Sequence, residues 1–227
     1  MAMKKKKYIK VLTPLEKYGT TVGFLGLLGW VNIPFVSFLF FASYMGEFGE
    51  FTNILTSVFG IFTIITIVCL VLSYIKKFVK HFQELVYYLI SVESFISMFW
   101  FDFLGLIPTF DDHSNLTYSD IFPYVFPLFL LFIISLIFFY FYHKDESVYK
   151  LNNYFNNGKS SKGAVSVPII FTGVMASRMF FEGNASFGKI MGIIVAVMLT
   201  ATFPAGIMGG LFSAAYIRKY PDRKEIQ

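Results

Sequence analysis

Long apolar runs separated by short polar segments dominate this chain. A helical run needs about 20 residues to cross roughly 30 Å of hydrocarbon. Six runs approach or exceed that length, at residues 18–44, 51–75, 85–107, 121–142, 164–181 and 190–217. The run at 164–181 is the least hydrophobic of the six, so it is the one that could be re-entrant or displaced. The pattern predicts an all-α integral membrane protein, a polytopic bundle of about six transmembrane helices.

Composition agrees with a lipid environment and with one transmembrane domain over residues 1–227. Charged residues make up 15% of the chain, well below the roughly 25% of soluble domains. The 30 phenylalanines are too many to be buried in a water-soluble core of this size, so most must face lipid or another helix. The first four runs are rich in phenylalanine and leucine, whereas the last two are rich in glycine, alanine and methionine. Small residues allow close helix contact, so runs five and six are candidates for the closely packed core of the bundle.

Basic residues indicate which side of the membrane each loop occupies. With six spans, 17 of the 19 lysines and arginines fall on one side, and only Arg178 and Lys189 fall on the other. Because basic residues are rarely translocated, this split predicts that both termini are cytoplasmic, with residues 143–163 as a cytoplasmic loop. The basic clusters lie between apolar runs, as topology signals and contacts to anionic lipid do, and not along one continuous face. We therefore expect no nucleic-acid binding, despite the net charge of +5.

Three charged residues lie inside predicted spans, where each is costly unless it has a partner or faces water. Glu93 lies near the middle of span three, Asp102 lies in its outer third, and Arg178 lies in the outer third of span five. Nine residues separate the two acids, which places them on opposite faces of one helix. Span three should therefore be surrounded by other helices, and the two carboxyls should not form one site.

Each intramembrane charge has a structural and a functional interpretation. Asp102 and Arg178 could form an ion pair that joins spans three and five, or part of a substrate or ion relay. Glu93 could be a protonated carboxyl bonded to a neighbouring helix, or a group that couples transport to protons or cations.

Span six is longer than the bilayer core and contains a helix breaker. Its 28 residues would extend about 42 Å if straight. Pro204 removes one backbone hydrogen bond, so we expect a kink near Phe203. Transporters expose backbone dipoles at such breaks, although prolines also kink ordinary membrane helices. The pairs Gly188/Gly192 and Gly206/Gly210 have the four-residue spacing of a close-packing groove.

Signatures of enzymes and cofactors are missing from the sequence. It holds no nucleophile elbow, zinc-protease motif, phosphate-binding loop or dinucleotide fingerprint. Its single cysteine, Cys69, permits no disulfide within the chain and no cysteine-based metal site. We therefore expect a protein that is not an enzyme and that holds no cofactor and no metal.

Two functional hypotheses remain from the sequence. The first is a non-enzymatic accessory, assembly or immunity-type subunit that acts through helix–helix contacts with a membrane protein partner or a second copy of itself. The alternative is a small permease, or the membrane subunit of one, which uses its intramembrane charges and docks a separate ATPase on a cytoplasmic loop. The composition is typical of a bacterial protein in the cell membrane.

Overall fold

The structure is a computed structural model that describes residues 12–46, 48–107, 110, 116–145 and 185–221, without the side chains of 185–188. The described residues are helical, with no strand among them. A 3-10 turn spans Gly49–Phe51. The α-helices are α1 Pro14–Tyr18, α2 Phe24–Met45, α3 Thr52–Tyr74, α4 Lys76–His81, α5 Gln83–Leu106, α6 Tyr118–Lys144, α7 Ala185–Thr202 and α8 Pro204–Lys219.

Among the residues that the structure describes, five helical stretches are long and apolar enough to cross a membrane. They are Phe24–Met45, Gly49–Tyr74, Gln83–Leu106, Tyr118–Lys144 and Lys189–Lys219. The predicted all-helical fold is therefore confirmed for the described residues, and their five long apolar helices are compatible with a multipass membrane protein. The span predicted at 164–181 lies outside them, as does most of the loop predicted at 143–163. The start of that loop is placed too early, because α6 continues through Lys144.

The predicted start of the first span is wrong. Thr13 and Glu16 form a capping box, and Pro14 occupies the first turn, so a separate five-residue helix begins there. Gly19 ends that helix in the left-handed conformation, with φ of 73°, which glycine adopts at little cost. The membrane-spanning helix α2 begins only at Phe24, six residues after the predicted start at Tyr18.

Helix α5 is the centre of the described bundle. It contacts α2, α3, α7 and α8, and 61% of its apolar stretch is buried. The corresponding value is 28% for α2 and for the α7–α8 stretch, 17% for α3 and 6% for α6. This central place is the one expected for a helix that carries carboxyls on opposite faces.

Contacts along α5 fix the directions of its neighbours. The Gly105 end of α5 faces Gly192 of α7, and Glu84 at the other end pairs with Arg218 of α8, so α7–α8 runs antiparallel to α5. Helix α6 also runs antiparallel to α5. Its last turn stacks His143 on Phe212 of α8, and the residue two positions before its start, Leu116, accepts a hydrogen bond from Glu50 at the opposite end. Thus α6 and α7–α8 cross the bundle in the same direction.

Positive charge is concentrated at one end of the bundle, where α1, α4 and the C-terminal ends of α6 and α8 meet. We call this the basic end. Seven of the eight lysines and arginines among the described residues lie there, namely Lys17, Lys76, Lys77, Lys80, Lys144, Arg218 and Lys219. The eighth, Lys189, lies in the first turns of α7 at the opposite end.

The last membrane stretch is interrupted where the sequence predicts a kink. Helix α7 ends at Thr202, Phe203 forms a turn, and Pro204 is the first residue of α8. The Thr202 hydroxyl donates to the Met198 carbonyl at 2.9 Å. In the turn before the break, a side-chain hydrogen bond thus adds to those of the backbone amides.

Candidate functional site

The Glu93 side chain lies in a buried polar cluster between three membrane helices. Its carboxyl on α5 is fully enclosed, with 0% of the residue exposed, and it faces α2 and α3. An isolated charged carboxyl at such a place would cost about 2.5–3.5 kcal/mol on insertion scales. Its hydrogen-bond partners therefore determine whether the site is stable.

Asn32 of α2 is the main partner of Glu93. Its amide nitrogen Nδ2 donates to Glu93 Oε2 at 2.6 Å and to the Glu93 backbone carbonyl at 3.0 Å. The Thr66 hydroxyl of α3 makes a weaker bond to the same Oε2, at 3.4 Å. Three spans that are separate in sequence therefore meet at one carboxyl oxygen.

The other side of the Asn32 amide is held equally firmly. Its oxygen Oδ1 accepts from the Ser97 hydroxyl at 2.6 Å and from the Trp100 indole nitrogen at 2.9 Å. An indole N–H can only donate, so it fixes which end of the amide carries the oxygen and turns Nδ2 toward Glu93. Phe35 stacks on the Trp100 ring, with 4.2 Å between ring centroids, and helps keep the indole in place. All four hydrogen-bonding positions of the amide are thus used.

One oxygen of the Glu93 carboxyl is left over. Oε1 is buried and has no hydrogen-bond partner among the described residues. The buried Cys69 thiol, a weak donor and weak acceptor, interacts with the same carboxyl. We name Asn32, Thr66, Cys69, Glu93, Ser97 and Trp100 the Glu93 cluster. Chemically, the unsatisfied oxygen can carry a proton or accept one further donor or cation.

Asp102 occupies a separate place on the opposite face of α5. Its Oδ2 accepts a hydrogen bond from the Thr200 hydroxyl of α7 at 2.9 Å. Its other oxygen, Oδ1, is buried and without a hydrogen-bond partner in the described part of the chain. Arg178, the partner expected from the sequence, lies outside the described residues, so that ion pair stays a prediction. The structure therefore joins Asp102 to the sixth predicted span through Thr200.

Small residues bring α7 and α8 close to α5. A side-chain carbon at Gly206 would lie 3.2 Å from the Ser94 hydroxyl, and one at Gly210 would lie 2.8 Å from the Tyr87 backbone carbonyl. The Ser91 hydroxyl, which also contacts the Gly210 position, donates to the Ile207 carbonyl at 3.0 Å. The serines of α5 thus line the groove that the glycines open.

The second glycine pair packs α7 against the other end of α5. A side-chain carbon at Gly105 would lie 3.0 Å from the Gly192 carbonyl oxygen. Gly188 falls in the first turn of α7, whose side-chain surroundings lie outside the described residues. Among the described residues, no three histidine, cysteine, aspartate or glutamate side chains are grouped so that they could hold a metal ion.

Sequence reasoning placed Glu93 in a protein environment but did not identify Asn32, Thr66 or Trp100 as its surroundings. Depth in the membrane was the available signal. Asn32 and Glu93 follow the starts of α2 and α5 by eight and ten residues, and both helices start at the basic end. Comparison with known proteins supplies no further assignment. No protein family, no curated protein and no solved structure matches this chain.

Proposed function

We propose that this chain is a non-enzymatic multipass subunit that acts in a bacterial cell membrane through helix–helix contacts with a partner protein. The observation that carries the proposal is the contrast between α5 and α6. The intramembrane polar groups are turned inward around α5, whereas only 6% of the apolar stretch of α6 is buried in the described structure. A helix held by so few contacts leaves a long apolar face for another helix.

Helix α6 presents aromatic and branched side chains along this face. Ile134 is 63% exposed, Phe138 is 61% exposed and Phe141 is 53% exposed, and their spacing of four and three residues places them on one side of the helix. Lipid tails are as apolar as these side chains, so association in the membrane would depend on shape and packing more than on a hydrophobic driving force. An accessory, assembly or immunity role fits a chain whose outer face is this large and whose described polar groups bond mainly one another.

Site-specific photocrosslinking in the native membrane tests the proposal. A photoreactive phenylalanine at position 134, 138 or 141 should give a discrete adduct with a second protein. The same probe at Ile64 of α3, which is 64% exposed, is the matched control and should give no such adduct. A crosslink confined to the chain itself, for example to residues 146–184, would leave the mass unchanged and would contradict a partner at this face. A solitary monomer with transport activity would remove the proposal.

We further propose the complete six-span topology, with both termini in the cytoplasm. Two observations support it: α6 and α7–α8 cross in the same direction, and seven of eight described cations lie at the basic end. Because α6 and α7–α8 cross in the same direction, the chain between them must cross the membrane an odd number of times.

Cysteine labelling tests this topology. In a Cys69→Ala background, an impermeant thiol reagent added from the cytoplasmic side should label cysteines that replace Lys77 and Lys150. A cysteine that replaces Lys189 should react only from the other side. Labelling of positions 77 and 150 from opposite sides of the membrane would overturn the six-span topology.

A second candidate function, a permease or permease subunit, is favoured by the two unsatisfied carboxyl oxygens. Glu93 Oε1 and Asp102 Oδ1 are both buried at membrane depth without a described partner. Groups of this kind mark proton and ion paths in many transporters. A separate ATPase docked on a cytoplasmic loop would then drive the subunit. The variants that separate these two functions are those of the Glu93 cluster, since they alter proton binding without altering the outer face.

A further inference from the structure

A groove opens at the basic end between the start of α5 and the end of α8. Its volume is about 380 Å³, within the range of pockets that bind small ligands. The residues that line it include Phe82, Glu84, Leu85 and Tyr88 of or beside α5 and Arg218 of α8. The groove thus lies where the membrane-spanning helices end and the charged segments begin.

The polar part of the groove is built around Arg218. Its Nε donates to Glu84 Oε1 at 2.7 Å, and its Nη2 lies 2.5 Å from the same oxygen. The arginine side chain remains 68% exposed, and its third nitrogen, Nη1, makes no hydrogen bond to the described residues. Glu84 therefore holds the guanidinium in position and leaves donors that a planar or tetrahedral oxyanion can accept.

Much of the remaining wall of the groove is apolar. Phe82 is 57% exposed and Leu85 is 45% exposed, while Tyr88 lies one turn further along α5. An apolar strip that continues from a cationic rim toward the membrane interior matches the two parts of a phospholipid, the headgroup phosphate and the first part of an acyl chain.

The positive charge of the basic end favours anionic phospholipids over neutral ones. The seven cations of the basic end outnumber the three acids described there, Glu16, Glu84 and Asp145. Basic pockets between membrane helices on the cytoplasmic side are typical sites for anionic headgroups. We propose that this groove binds an anionic phospholipid, with its phosphate on Arg218 and an acyl chain along Leu85 and Tyr88. The site is independent of the partner proposed at α6.

Lipid binding to the purified full-length chain tests the proposal. Native mass spectrometry in detergent would compare phosphatidylglycerol with phosphatidylcholine of the same acyl chains, and thermal unfolding would be recorded with each lipid. We expect tighter binding and a higher melting temperature with phosphatidylglycerol. Arg218→Gln should bind it roughly fivefold more weakly, as expected for the loss of one cation near an anionic group. Glu84→Gln should bind it more tightly, because the glutamine carbonyl oxygen can still accept from Arg218 and hold it in place while the competing negative charge is removed.

The matched control is Lys189→Gln, which removes one positive charge at the opposite end and should leave lipid binding unchanged. Inorganic phosphate alone separates a lipid site from a simple anion site and should give no thermal stabilisation. Equal binding of phosphatidylcholine, unchanged binding by Arg218→Gln, or full stabilisation by inorganic phosphate would each overturn the proposal. If Arg218→Gln does not fold, the Glu84→Gln variant decides, because weaker or unchanged binding there contradicts the proposed competition.

Discussion

Replacing Gly210 by alanine should destabilise the bundle by about 1–3 kcal/mol, the usual cost of overpacking a well-packed site. The added carbon would lie 2.8 Å from the Tyr87 backbone carbonyl oxygen and would contact the Ser91 hydroxyl. The hydroxyl can rotate away, but the carbonyl belongs to the α5 backbone, so α8 itself must move outward. That displacement also stretches the bond from Ser91 to the Ile207 carbonyl.

The matched control is Gly206→Ala, one turn earlier on the same helix. Of the described residues, a carbon there meets only Ser94 side-chain atoms, the nearer being the hydroxyl at 3.2 Å, and a side chain can adjust. Since alanine also favours the helix by roughly 1 kcal/mol, Gly206→Ala should be neutral or stabilising. The free energy of unfolding in detergent micelles, from helicity during titration with a denaturing detergent, measures both. Equal stabilities of the two variants would show that α8 does not approach α5 as described.

A second variant identifies the cause of the Gly210 effect. Ser91→Ala in the Gly210→Ala background removes the hydroxyl but keeps the Tyr87 carbonyl, so it should restore only part of the lost stability. Complete recovery would mean that the side chain, and not the α5 backbone, limits how closely α8 can approach.

The sequence predicts those features of the architecture that depend on the geometry of one helix alone. The length of each apolar run located the described spans to within a few residues, and the nine-residue separation of Glu93 and Asp102 placed α5 among other helices. Pro204 indicated the break between α7 and α8, because a missing N–H and a ring clash act locally. The start of the first span was misplaced because Gly19 ends α1 through its φ angle, which hydrophobicity does not record.

The partners of the buried carboxyls could not be predicted for a different reason. Periodicity shows which face of a helix carries a group, but not which helix covers that face. Glu93 contacts α2 and α3 because α2 enters the membrane beside α5 from the same end, so Asn32 arrives at the depth of Glu93. Asp102 contacts Thr200 because α7 packs through small residues, and nothing in the sequence orders these helices around α5.

Replacing Asn32 by alanine should cost about 2–3 kcal/mol of unfolding free energy, the largest single-residue effect expected in the Glu93 cluster. One hydrogen bond between membrane helices averages about 0.6 kcal/mol, but this change removes four and leaves the buried Trp100 N–H without its acceptor. The acceptor that the Trp100 N–H loses lies at 2.9 Å, and Glu93 Oε2 loses its nearer donor at 2.6 Å and keeps only the weaker bond from Thr66. Asn53→Ala, at an exposed position of α3, is the control and should stay within about 0.5 kcal/mol of the parent. A loss at Asn32 no larger than at Asn53 would contradict the network.

Glu93→Gln separates a structural carboxyl from one that exchanges protons. The amide oxygen can accept from Asn32 and Thr66 as Oε2 does, and the amide NH2 takes the place of Oε1, which has no described partner. The new NH2 has no described acceptor, so the variant should lose some stability but less than Glu93→Ala. The loss in Glu93→Ala should combine with that of Asn32→Ala in a non-additive way, because the two residues share one network. A glutamine cannot release a proton at this position. If Glu93→Gln folds and still forms the α6 adduct, the cluster serves to hold three helices together; if it folds but abolishes a measured transport activity, the permease is the better function.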